Sequence, residues 1–100
     1  MGATDEGALS AGAEGLRAFQ KQIETLYYAK DSERGWERTF VWFMEEVGEL
    51  ARALHRDDRE NLAEEFADVA AWLVSLASLR GIDLGPAAAA KYPDPPPTAS

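Results

Sequence analysis

The sequence predicts an all-α protein, a bundle of four helices assembled as a homo-oligomer. Three observations carry that expectation. Apolar residues recur at steps of three and four, and no segment alternates at period two. Gly and Asp signals cut the chain into four helical segments. One of those segments is apolar over more of its circumference than a chain this short can cover.

Residues 1–12 are small and polar and are expected to fray as a disordered tail ahead of a helical domain spanning 13–92. Leu16, Phe19, Ile23 and Leu26 mark the first helix, which is expected to end near Ala29. Lys30 to Gly35 breaks the pattern and reads as a loop. Phe40, Phe43, Val47, Leu50 and Leu54 form the stripe of a second helix from Trp36 to Arg56. Asp58 is placed to cap a third helix, from about Arg59 to Arg80, with Gly81 beyond it as the stop. Asp83 is placed to cap a short fourth helix ending near Lys91. Pro93, Pro95, Pro96 and Pro97 forbid further helix, so 93–100 is expected to be a disordered tail.

On the third helix Leu62, Phe66, Val69, Ala70, Leu73, Leu76 and Ala77 span well over the roughly 100° stripe of an ordinary surface helix. A homodimer or homotetramer would cover that arc. The alternative is a compact monomer in which helices one and four flank the third.

Composition narrows the partners. Eighteen acids against ten bases leave a net charge of −8, which argues against a nucleic-acid backbone or an anionic membrane. With no cysteine, disulfides and thiolate metal sites are excluded. The N-terminus has no basic start followed by an apolar run, so no secretory signal is expected. Glu6 stands where a myristoylation motif wants Ser or Thr. A cytoplasmic location is the expectation.

Half of the acids lie between Glu45 and Asp68. Two motifs hold most of them: Glu45-Glu46-Val47-Gly48-Glu49 and Glu64-Glu65-Phe66-Ala67-Asp68. Each repeats an acid at i, i+3, which sets two carboxylates on one helix face. On the second helix Trp42, Glu46, Glu49 and Ala53 fall within about 60° of one another. On the third, Asn61, Glu65, Asp68, Trp72 and Leu76 form the matching face. Both faces border the apolar stripe, whereas a merely solvated acidic face would oppose it. The pairs Glu45/Glu49, Glu60/Glu64 and Glu64/Asp68 are like-charged at i, i+4, each costing about 0.2–0.5 kcal/mol in an isolated helix. A divalent cation is the usual compensation, and hard oxygen ligands suit Mg²⁺ or Mn²⁺. Spacing alone leaves metal binding and an ordinary Glu-rich surface both open.

At these residues the chain resembles the MazG-like nucleotide pyrophosphohydrolases, an all-α superfamily with the signature E-E-x-x-E, a spacer, then E-x-x-D. Here the signature is Glu45-Glu46-Val47-Gly48-Glu49, a spacer over 50–64, then Glu65-Phe66-Ala67-Asp68. The flanks, WFMEEVGELARAL and EEFADVAAWLVSLASLRGIDL, are similar too, and the resemblance covers roughly Leu16 to Tyr92. It implies a MazG-like helical bundle assembled as a dimer or tetramer. It implies Mg²⁺-dependent cleavage of a nucleoside triphosphate between its α and β phosphates. The ligands it implies are Glu46, Glu49, Glu65 and Asp68, with Glu45 in support; Glu45 or Glu46 would orient or deprotonate the attacking water. It also implies that Lys91 meets the substrate phosphates. Where several members carry Asn four residues later, this chain has Pro95.

Other candidates are less marked. Trp72, one turn beyond Asp68, is a platform for a nucleobase or a core residue; for Trp42 core packing is the simpler reading. Lys30 and Arg34 are placed to reach phosphates or simply to be solvated. His55 lies on the far side of the second helix from Glu46 and Glu49. Gly12-Ala13-Glu14-Gly15 lacks the strand and the Lys-Ser/Thr of a phosphate loop. Two further functions stand beside triphosphate hydrolysis: a non-catalytic helical interaction module with a vestigial metal site, and phosphoribosyl-ATP pyrophosphohydrolase.

Overall fold

A computed structural model describes residues 9–94. Its elements are α1 (Ala11–Arg34), α2 (Trp36–Arg56), α3 (Arg59–Leu79) and α4 (Leu84–Lys91), with no strand among the described residues. None of these helices is long and apolar enough to cross a membrane. The outermost parts of both expected tails lie outside the described residues.

Ser10 starts α1 by accepting a hydrogen bond from the Ala13 amide at 3.2 Å. The helix then runs through Lys30–Arg34, which the sequence reading took for a loop. Nothing in that segment breaks a helix; it is only polar, and polarity without Gly or Pro is a poor stop signal. The break comes at Gly35, whose φ of 87° and ψ of 159° are open only to glycine. Lys30 and Arg34 are therefore helical residues, and the α1–α2 connection is a single residue.

Asp57 ends α2 in the left-handed conformation, and Asp58 caps α3 by accepting from the Asn61 amide at 3.2 Å. So short a turn folds α2 and α3 into an antiparallel hairpin. Arg80, just past the end of α3, lies 5.0 Å from the ring centre of Trp36 at the start of α2. α1 packs along α3, and α4 rests on α1. Asp83 occupies the cap position of α4 as expected, but its side chain makes no cap bond and pairs with Arg17 at 2.9 Å. Gln20 replaces it: its Oε1 accepts from the Leu84 amide at 2.8 Å, and its Nε2 donates to Ser78 Oγ and the Ile82 carbonyl. Gly85 lets α4 approach, since a Cβ there would lie 2.4 Å from the Ala13 carbonyl oxygen.

The apolar stripes are placed differently from expectation. The α2 residues sealed inside the chain are Thr39 and Ala53, seven and seven residues either side of the half-buried Glu46. The stripe expected to form the core faces outward in part: Phe40 is 47% and Leu54 53% exposed, while Phe43, Val47 and Leu50 are half-buried. On α3, Leu62 and Val74 are buried, but Phe66 and Leu73 are open. The face of α2 bearing Thr39, Glu46 and Ala53 thus packs inward, while Glu45 and Glu49 stay exposed and much of the apolar face is left bare.

Candidate metal centre and adjoining cavity

Close approach of α2 and α3 brings three carboxylates together. Glu46 from α2 and Glu65 and Asp68 from α3 each offer an oxygen, and those oxygens lie within 4.8 Å of one another. Thr39 and Ala53, both small and sealed within the chain, lie on the same face of α2 as Glu46. Glu49 lies one turn further along α2, exposed, with its carboxylate paired to Arg52. Glu45 is exposed beside the cluster.

Electrostatics record the crowding. Partial burial pushes the Glu46 carboxyl above its ordinary value, and the charges of Asp68, Glu65, Glu49 and Glu45 push it the same way. Four other acids of the two motifs therefore act on Glu46. Glu65 Oε2 is buried and has no hydrogen-bond partner. A sealed carboxylate oxygen without a donor is costly, and a bound cation removes that cost. Three converging hard oxygen donors, with Glu49 one turn away, fit a divalent ion of the Mg²⁺ or Mn²⁺ type.

Beside Asp68 opens a cavity of about 340 Å³ between α1 and α3. Its lining includes Lys30 and Arg34 from α1 and Trp72 from α3, three of the residues singled out in the sequence. Arg34 is held firmly: Nη1 donates to Asp31 Oδ1 at 2.8 Å and to Thr39 Oγ1 at 3.3 Å. Its guanidinium sits 5.3 Å from the Trp72 ring centre. Trp42 stacks on Trp72 at 6.4 Å and 12°, joining the two acid-bearing helices. Lys91 is not brought to this site within the chain. It is exposed at the end of α4, with Nζ 5.9 Å from the Tyr92 ring centre.

Asp31, Tyr27 and Ser75 also line the cavity and were missed by the sequence reading. For Asp31 a signal existed. An acid in the last turn of a helix opposes the helix dipole, and that misfit marks a position with another task.

A family model for the MazG nucleotide pyrophosphohydrolase domain matches residues 34–94, more than half of the chain. The chain belongs to this family. No curated protein matches it. The matched span begins at Arg34 and takes in α2, α3 and α4 with both acidic motifs. Membership accords with a hydrolase acting on nucleotides, and the matched span contains Glu46, Glu65 and Asp68, the three acids that converge in the fold.

The state of Glu46 gives a test without metal. Its folded pKa lies above the ordinary 4.5, so the folded chain binds this proton more tightly than the unfolded one. The group therefore destabilises the metal-free fold above its folded pKa, and the penalty fades as pH falls toward the unfolded value. In chelator, Glu46→Gln is expected to raise the melting temperature at pH 8, with the gain shrinking as the pH is lowered toward 4.5. A gain independent of pH, or a loss at pH 8, would contradict the assigned crowding.

Proposed function

We propose that this MazG-family chain is a nucleoside triphosphate pyrophosphohydrolase, releasing pyrophosphate and a nucleoside monophosphate. The observation that carries the reading is the convergence of Glu46, Glu65 and Asp68 beside a cavity walled by Arg34 and Trp72. Glu46, Glu65 and Asp68, joined by Glu49, would hold Mg²⁺. A bound divalent ion neutralises triphosphate charge and acidifies water. The chain's own groups supply positioning, which is most of what phosphoryl chemistry needs from a protein. Arg34, preorganised by Asp31 and Thr39, presents a fixed cation to a phosphate, and Lys30 adds a mobile one. Glu45 or Glu46 serves to orient the attacking water or take its proton. Trp72 walls the nucleoside side. Lys91, which its own chain does not bring to this site, would meet a phosphate tail only from a second copy of the chain. The proposed setting is cytoplasmic.

Asp68→Asn or Glu49→Gln is expected to cut pyrophosphate release by about a hundredfold or more while helical content is kept, as with other losses of transition-state charge stabilisation. The assay is pyrophosphate release from ribo- and deoxyribonucleoside triphosphates with Mg²⁺. No release by the wild type from any of them would favour the non-catalytic interaction module. Release from phosphoribosyl-ATP alone would move the substrate to that compound.

We further propose that the working form is a homodimer or homotetramer joined through α2 and α3. Phe40, Met44, Leu54, Phe66 and Leu73 are each more than two-fifths exposed in one chain, a large apolar area to leave wet. Gly48 adds to this. A glycine inside a helix costs about 1 kcal/mol relative to alanine, and a Cβ at Gly48 would meet nothing within 4 Å in its own chain. A closely approaching second helix gives that glycine a reason. Leu73→Glu is harmless at a half-exposed position in a lone chain but buries an unpaired charge in the assembly. It is expected to lower the mass seen by light scattering, and activity with it, with little change in helical content. A wild type that is monomeric at micromolar concentration and fully active would refute the assembly.

A further inference from the structure

Asp31 is an acid placed against the local helical chemistry. It sits in the last turn of α1, near the negative end of the helix dipole, and its side chain is only 8% exposed. Its Oδ1 accepts from Arg34, which offsets the charge. No hydrogen bond from a described residue reaches its Oδ2. A surface i, i+3 pair would serve the helix equally well without burial. Unlike Glu65 Oε2, the sealed unpartnered oxygen among the described residues, Asp31 Oδ2 is not sealed, so it is open to a donor from outside the chain.

That residue lines the cavity beside Asp68. Apolar Ile23 and Ala71 and the flat ring of Trp72 line it as well. A volume of about 340 Å³ lies in the range of small-molecule sites. With a triphosphate lying along the acids, the attached nucleoside falls next to this space. Arg34, itself bonded to Thr39, holds Asp31 by its Oδ1, so the acceptor is fixed and cannot turn to suit another ligand.

We infer that the cavity takes the nucleoside half of the substrate and that Asp31 selects bases carrying an exocyclic amino group. The inference rests on the nucleotide reading above. The amino group of cytosine or adenine donates to Asp31 Oδ2. Uracil and thymine put a carbonyl oxygen where cytosine has its amino group, and two acceptors then face each other. A site built around a hydrogen bond rejects the analogue that cannot make it, because its own polar group is left unpaired.

dCTP and dUTP make the cleanest pair, since they differ only in that amino or carbonyl group and its ring nitrogen. The wild type is expected to favour dCTP by about tenfold or more in kcat/KM, and dCMP over dUMP in calorimetric binding. Asp31→Asn, which can present either end of its amide, is expected to bring the dCTP/dUTP ratio close to one. A merely structural role for Asp31 would scale both nucleotides alike and leave the ratio unchanged, which would overturn the inference. So would equal binding of dCMP and dUMP by the wild type, a result that needs no variant to fold. Absence of pyrophosphate release from every nucleotide would defeat the hydrolase reading instead, and the dCMP and dUMP binding ratio would still decide the role of Asp31.

Discussion

Like charge held at short range between two helices is the constraint on which the rest of this structure depends. Glu46, Glu65 and Asp68 repel one another, and the contact between α2 and α3 forces them together. Thr39 and Ala53, both sealed within the chain, lie on the same face of α2 as Glu46. The Trp42–Trp72 stack and the Arg80–Trp36 contact tie the same two helices further along. The raised pKa of Glu46 and the unpartnered Glu65 oxygen are two signs of the same crowding. A fold that accepts that cost has a site poised for a cation.

Using the Thr39, Glu46 and Ala53 face of α2 for internal packing has a consequence for its apolar face. Phe40 and Leu54 remain open, as do Phe66 and Leu73 on α3. The core proper is slight: Ala13, Ile23, Ala53, Leu62 and Val74 are its buried apolar residues. Polar links supplement it, with Gln20 joining α1 to the end of α3 and the start of α4. The exposed apolar residues and the converging acids are thus two outcomes of one packing choice.

Much of this was legible in the sequence, and the misses have physical causes. Helix periodicity and the Asp58 and Gly81 punctuation located α2, α3 and α4 closely. The i, i+3 spacing in both motifs pointed to acids beside the core; in the fold Glu46 and Glu65 are half-buried, while Glu45, Glu49, Glu64 and Asp68 are exposed. The extent of α1 was misread because Lys30–Arg34 is polar, although only Gly35 has a conformation that stops a helix. The inward face of α2 was misread because apolar residues were assumed to turn inward. Here the apolar stripe of α2 is only partly covered by its own chain. Asp31 was missed because its segment was read as a loop, which hid its place in the last turn of α1, one turn before its partner Arg34.

The central claim is that crowded carboxylates between α2 and α3 hold a divalent cation, and thermal unfolding in Mg²⁺ tests it most directly. An ion that binds the folded chain alone raises the melting temperature with concentration. The account predicts such a rise for the wild type and its loss in Glu46→Gln/Glu65→Gln. Equal Mg²⁺ stabilisation of that double variant would contradict the account, because the ion would then bind elsewhere or merely screen charge.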